Sequence, residues 1–419
     1  MTYADKMRIV HIATTDFGGA ALGMLHLHES LVSLGVESKI LVAQKTTQLD
    51  SVVCISPNHN LYHWSNNRIV RKVQKIMRRR GKWLTAVEQW EKEIEKASAN
   101  HQPICYTSPF SCYDFAEQPL VKDADIVHLH WVGNFLDYPS FFNAVDKPIV
   151  WTLRDENPGL GGFHYCSDKN DLIQYYYHIE ESFLGTKRQA LLQRSNITLI
   201  ALSDVMKSFC SNVDFLKNKK TVKIYNPIDG SQFNTIDQEK AREALNIQSD
   251  SLIISFVSVS LNDHRKGLAQ LIEAIKLLDI PIKLLCVGIN DFFIEKDADI
   301  ICYGPIENTQ LLSLIYSASD IFVTPSSQES FGKTTVEAML CGTPVISTAT
   351  GIAPEVIDEG SGIIIDSTEP TEIAHAINEV SKRGYDGAAI RAKALQLFNP
   401  ISIAKQHIAL YNSLLNNPN

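Results

Sequence analysis

Two glutamates bracket the run Glu329-Ser-Phe-Gly-Lys-Thr-Thr-Val-Glu337. A predicted strand, Asp320-Ile-Phe-Val-Thr-Pro325, and a Ser326-Ser327-Gln328 loop lead into it, and a helix is expected to begin near Phe331. Eight helical positions at about 100° each return a side chain to about 80° from its starting direction. Both acids can therefore face one crevice at the carboxyl end of a parallel sheet, where open α/β folds hold ligands. A helix N-terminus at the same place favours an anion. Carboxylates that accept sugar or ribose hydroxyls, beside amides that hold phosphate, describe a nucleotide-sugar site. The plain alternative is a solvated helix carrying two acids, which the Gly and Pro punctuation around it disfavours.

Arg265-Lys266-Gly267 follows another predicted strand. Adjacent cations there can neutralise a departing diphosphate and stabilise charge developing in a transition state. As a mere surface pair at a helix start they would oppose the helix dipole.

These groups need a scaffold. The chain has 419 residues, 45% hydrophobic and 21% charged, which suits two or three globular domains. A net charge of −8 argues against nucleic acid as a partner. No signal pattern opens the chain and no apolar run is long enough to span a membrane, so a cytoplasmic protein is expected. The eight cysteines form no C-x-x-C pair and read as buried thiols. His128 and His130 share one strand face without a third ligand at recognisable spacing, so no metal site is expected.

Two alternating series of strands and helices run along the chain. The first includes Arg8–Ala13, Lys39–Ala43, Ile126–His130, Pro148–Leu153, Ile197–Leu202 and Thr221–Tyr225, with Gly18-Gly19 in the loop after the first strand. The second includes strands at 252–258, 282–287, 300–303, 321–324, 344–347 and 362–365. The expected organisation is an acceptor-side lobe over 1–226, a nucleotide-sugar lobe over 227–398, and a helix in 399–419 that packs back across the cleft. Both lobes are expected to be doubly wound and Rossmann-like.

The glutamate motif, Arg265-Lys-Gly267, Thr350-Gly-Ile-Ala-Pro-Glu355, Asp125-Ile-Val-His-Leu-His-Trp131, Val150-Trp-Thr-Leu-Arg-Asp155 and Gly161-Gly-Phe-His-Tyr165 together resemble the retaining GT-B glycosyltransferases of family four, the bacterial polysaccharide and lipopolysaccharide assembly type. The resemblance implies an α/β GT-B fold with an interdomain cleft. It also implies transfer of a hexose from a UDP- or GDP-linked donor to a glycan acceptor, lipid-linked in many relatives, with retention and without metal or other cofactor. Glu329 would accept donor-sugar hydroxyls, lined by Ser330, Phe331, Gly332, Lys333 and Thr334. Glu337 would hold the ribose, Gly304-Pro305-Ile306 the base, and Gly18 and Gly19 the diphosphate. A GT-B protein that binds nucleotide sugar or membrane without catalysis is the alternative. A dehydrogenase is excluded, because position 20 is Ala and no acid ends the second strand.

One departure from the family is expected to matter. Arg154 stands where relatives carry His, and a guanidinium does not shuttle protons at neutral pH. It would bind a donor carboxylate or the departing phosphate. Asp155 and His164 are the nearest acid and imidazole, with a catalytic or a structural role for each. Finally, Arg68, Arg71, Lys72, Lys75, Arg78, Arg79, Arg80 and Lys82 line a segment without acids, with apolar residues at helical spacing and Trp64 and Trp83 flanking it. Such a helix suits an anionic membrane surface, which would place the protein peripherally on the inner face of the cell membrane.

Overall fold

The computed structural model describes residues 7–58, 68–79, 86–192, 194–247, 250–290 and 299–416. The chain folds as two compact units: one from Met1–Leu202, Met206–Ile224 and Ile403–Asn419, the other from Ser203–Val205 and Tyr225–Ser402.

The first unit is built on seven parallel strands: β1 Arg8–Thr15, β2 Glu37–Gln44, β3 Val52–Cys54, β4 Ile126–Leu129, β5 Ile149–Thr152, β6 Ile197–Ala201 and β7 Lys220–Lys223. Their order is β3-β2-β1-β4-β5-β6-β7, so the direction of winding reverses between β1 and β4. β4, β5 and β6 are buried at every position, as strands covered on both faces must be, and their near-continuous apolar runs follow from that. Register places His11 opposite His128, which brings histidines 117 positions apart into one core.

The second unit holds β8 Leu252–Ser260, β9 Ile282–Ile289, β10 Asp299–Cys302, β11 Ile321–Thr324, β12 Val345–Thr348 and β13 Gly362–Ile365, in the order β10-β9-β8-β11-β12-β13. All pairs are parallel, and the switch lies between β8 and β11. Helices Leu268–Lys276 and Pro370–Val380 bury Leu271, Ala274, Ile373 and Ile377 against Ile254, Leu284, Val323 and Ile346.

Several boundaries differ from the sequence expectation. The helix after Glu329 begins at Lys333, because Gly332 takes φ 87° as its N-cap. Edge strand β3 is too short for a periodic signal. Cys166–Leu192 forms one 27-residue helix whose polar stretches masked its period, and Gln238–Ala244 is a further helix that no expectation covered, started by the Asp237 carboxylate accepting from Lys240 N. The last helix, Pro400–Asn416, packs from Ile403 onward with the first unit. Its Tyr411 hydroxyl lies 2.7 Å from His128 Nδ1.

Candidate functional site

In the second unit, β8 leads into a tight turn, His264–Lys266, started by the Asp263 carboxylate accepting from Arg265 N. Gly267 closes it at φ 77°, and a Cβ there would lie 2.3 Å from Pro325 O. Only glycine lets this turn rest on the exit of β11. Ser327 N donates to Arg265 O at 2.7 Å, and Lys266 Nζ thereby reaches Glu329 Oε1 at 2.5 Å across 63 positions of sequence. Both side chains keep part of their surface in solvent, 24% and 17%. An ammonium has three N–H donors, so Lys266 can serve Glu329 and an oxyanion together.

The neighbouring Arg265 behaves differently from the expectation. Its guanidinium is 5% exposed and clasps Asp263 through two bonds, Nε to Oδ1 at 3.1 Å and NH2 to Oδ2 at 2.7 Å. Its charge is already compensated inside the protein, so Arg265 braces the turn and leaves Lys266 as the presented cation. Asp263, two residues upstream, was the sequence signal for this.

Glu337 is buried in the second turn of its helix. The Tyr316 hydroxyl donates to Oε2 at 3.0 Å and Lys333 Nζ lies 2.7 Å from Oε1. Sequence reasoning missed Tyr316, which comes from the preceding helix. The backbone at Ser330 and Phe331 is fixed by carbonyl bonds from Ser203 Oγ at 3.0 Å and Ile352 N at 2.9 Å. Gly351 permits that approach, since a Cβ there would lie 2.5 Å from Phe331 O. The first-turn N–H groups of Lys333 and Thr334 lack intrahelical acceptors, as at any helix start. Ile306 is half-buried in the loop after β10, where Gly304 takes φ 68°. The structure thus gathers the second-unit residues into one region around the ends of β8 and β11, with Ile306 on the separate β10 loop.

The first unit carries a second cluster. Arg154 follows β5 and donates from NH2 to His130 Nδ1 at 3.0 Å. That fixes the tautomer of His130, whose Nε2–H then donates to His11 Nδ1 at 2.9 Å. His128 spans Tyr411 and Thr152, at 2.7 and 2.8 Å. Burial, with neighbouring imidazoles and Arg154 adding to it, holds His11, His128 and His130 far below the usual imidazole range. The ligating atoms of these three lie within 4.8 Å of one another. A divalent cation among them would sit beside the Arg154 guanidinium, itself lowered by burial only to about 9 and so charged at neutral pH. His11 Nε2 has no hydrogen-bond partner among the described residues, but the adjacent guanidinium disfavours a cation, so the trio fits a neutral core better than a metal.

Asp155 Oδ2 accepts from Trp131 Nε1 at 2.7 Å and pairs with His164 Nδ1 at 2.6 Å, while Oδ1 takes Asn157 N at 3.0 Å. Burial alone would raise Asp155, but His164 and these donors keep it below the ordinary value. Burial likewise pushes His164 down, and the Asp155 charge overcomes that to raise it to about 9. Its Nε2 meets Thr107 Oγ1 at 2.8 Å. An imidazole already protonated at neutral pH, with both nitrogens engaged, cannot take a proton. Of the two roles expected for His164, these bonds account for the structural one. His130, Trp131, Gly133, Arg154, Asp155 and His164 line a small recess.

Gly161-Gly162 proves to be a cradle for a buried carboxylate: both amides donate to Glu180 at 2.7 Å. Glu180 and buried Lys187, which donates to Asn157 O at 2.7 Å, were invisible to motif reading. Gly18 takes φ 85° as the cap of helix Gly19–Ser33, and a Cβ at Gly18 or Gly19 would meet no described atom, so neither serves internal packing.

Arg68–Arg79 is helical. Arg68 and Lys72 are exposed, and so are Ile69, Val73, Ile76 and Met77, the apolar residues sharing one face. The side chains of Arg71, Lys75, Arg78 and Arg79 are not among those described, and Arg80, Lys82, Trp64 and Trp83 lie outside the described residues. No described helix is long and apolar enough to cross a membrane.

Residues 237–395 match the family model described as glycosyl transferases group 1, so the second unit carries a domain of that kind. A D-inositol 3-phosphate glycosyltransferase from Mycobacteroides abscessus is 28% identical over 291 residues, 61% of this chain and 63% of that protein. Among solved structures, a sucrose-phosphate synthase from Thermosynechococcus elongatus is similar with a TM-score of 0.66 at 20% identity, covering 98% of this chain and all of the other. Anabaena HepE, solved with UDP and glucose, is similar with a TM-score of 0.62 at 18% identity and the same coverage. These likenesses establish two parallel-sheet Rossmann-like units of the kind found in GT-B glycosyltransferases.

Proposed function

We propose that this protein transfers a hexose from a UDP- or GDP-linked donor to a glycan acceptor carried on a lipid, with retention of anomeric configuration and without a metal. The observation that carries the reading is the Lys266–Glu329 pair, part-exposed at the meeting of the β8 and β11 exits within the group 1 domain. Lys266 supplies positive charge to the departing diphosphate, where a divalent cation would otherwise act. Glu329 orients Lys266 through one oxygen and accepts sugar hydroxyls with its remaining lone pairs. The first-turn amides at Lys333 and Thr334 add partial positive charge. Glu337, held by Tyr316 and Lys333, takes the ribose, and the Gly304–Ile306 loop takes the base. Arg154, a half-buried cation in the first unit, serves a donor carboxylate or the leaving phosphate.

The exposed apolar face of Arg68–Arg79 supports a membrane-bound acceptor. A helix that packed this face on its own unit would bury it, yet Ile69 is 74% exposed and Val73 52%. Apolar side chains enter the headgroup region while Arg68 and Lys72 meet anionic lipid, each cation adding about 1 kcal/mol. Liposome co-sedimentation should show binding that needs anionic lipid, falls with salt, and disappears when Arg78, Arg79 and Arg80 become Glu. Equal binding to neutral vesicles would remove the membrane from this reading.

Product NMR with the best donor tests the reaction itself. Retained configuration and turnover unaffected by EDTA are expected. An inverted product, or activity lost to EDTA and restored by Mg²⁺ or Mn²⁺, overturns the mechanism.

A further inference from the structure

The cysteines are less buried than the sequence implied, since Cys54 and Cys302 are exposed and only Cys210, Cys286 and Cys341 are buried. Two of the eight meet across the edge of the second-unit sheet. Cys302 on edge strand β10 is the register partner of Cys286 on β9. Register partners on parallel strands project to the same face, and neighbouring strands run about 4.8 Å apart. That lies inside the Cα separation of about 4.4–6.8 Å that a disulfide requires. The strands are clamped just beyond the pair, by Tyr303 N donating to Cys286 O and Gly288 N to Gly304 O, each at 2.9 Å.

The two thiols are unequal. Cys286 is wholly buried, whereas Cys302 is exposed and has Asn290 Nδ2 at 3.7 Å from its sulfur. The hydrogen bond from Cys286, with help from Asn290, brings Cys302 down to about 7, and the same bond together with burial pushes Cys286 up. Cys166, Cys210 and Cys341 are driven the other way by burial, each to about 12.

We propose that Cys286 and Cys302 are a redox-active pair that small disulfide oxidants convert into a cross-link between β9 and β10. The Cys302 thiolate attacks one sulfur of the oxidant RSSR, forms a mixed disulfide and releases RS⁻. Cys286 loses its proton to that thiolate, and its sulfur then attacks Cys302 Sγ and displaces the second RS⁻. Two protein thiols are oxidised and one RSSR becomes RSH and RS⁻. Cys302 is the accessible nucleophile and Cys286 the resolving group, and the product pins the edge strand from which the Gly304–Ile306 loop departs.

The reduced full-length protein, treated with glutathione disulfide, quenched by alkylation and mapped by mass spectrometry without reduction, tests this. A peptide pair joined through Cys286 and Cys302, lighter by two hydrogens and separated by dithiothreitol, is expected. Cys302 should react at pH 7 about threefold faster than an unperturbed thiol, its larger thiolate fraction outweighing its lower nucleophilicity. Cys302→Ser should leave Cys286 reduced while exposed Cys54 still reacts. A lasting glutathione adduct on Cys302 with Cys286 still free to alkylate after denaturation would overturn the proposal. So would oxidation of Cys286 in the Cys302→Ser protein.

Discussion

The two polar clusters of this protein solve opposite problems. Around Lys266 and Glu329 the second unit keeps charge at a surface, paired but in contact with solvent. Around His130, Asp155 and His164 the first unit takes imidazoles and a carboxylate into its core and hydrogen-bonds them there, with half-buried Arg154 donating to His130. The first arrangement can hand its hydrogen bonds to an arriving anion. In the second, an anion that drew the Arg154 NH2 away would leave buried His130 Nδ1 without its donor, which costs about 1–3 kcal/mol. The proposed chemistry therefore leans first on Lys266, and the histidine-rich core positions the chain around Arg154.

The largest effect that separates them is acid sensitivity. Burial pushes His28 and His407 down to about 4 and holds His11, His128 and His130 well below the ordinary value. As pH falls through 6.5 the unfolded chain binds protons at these positions and the native first unit does not, so stability falls with pH. Each imidazole contributes up to about 1.4 kcal/mol per pH unit, and five together rival the 5–15 kcal/mol of a typical domain. Denaturant melts should show stability dropping steeply between pH 6.5 and 4.5. A flat profile would mean that the cluster is protonated in the native state. Between about pH 7 and 9 Lys187, pushed down to about 7 by burial, adds stability as pH rises and so opposes the loss from His164.

Substitutions in the turn sharpen the contrast next. Lys266→Ala should lower turnover by about 10²-fold, the loss expected on removing one charge-stabilising donor. Its melting temperature should barely move, since a part-exposed pair is worth at most about 1 kcal/mol. Arg265→Ala should do the reverse in kind, losing about 1–3 kcal/mol of stability because Asp263, its side chain 11% exposed, is left without its partner. Equal losses of stability in the two variants would dissolve the distinction between presented and bracing cations.

The fold and the grouping of Lys266 with Glu329 were legible because their signals are local. Strand runs such as Leu252-Ile-Ile-Ser-Phe-Val and the nine-residue glutamate motif carry their meaning within a few turns of chain. The first-unit core was not, because its logic is long-range. His11 meets His130 across 119 positions and His128 meets Tyr411 across 283, and no spacing rule reaches that far. Glu180 belongs to no motif, and only the fold brings the Gly161 and Gly162 amides onto it. Arg265 and Lys266 look alike in sequence, and only the fold of the turn gave them different partners.

Glu329→Ala puts the central claim to the most direct test. Nucleotide release from the wild-type protein should be followed across UDP- and GDP-sugars with a glycan acceptor, then repeated in the variant with the free nucleotide's thermal shift as a control for folding. Donor-dependent release by the wild type, its loss in Glu329→Ala, and a nucleotide-induced shift retained in both are predicted. Near-normal release by the variant would contradict the assignment of Glu329 to the donor site.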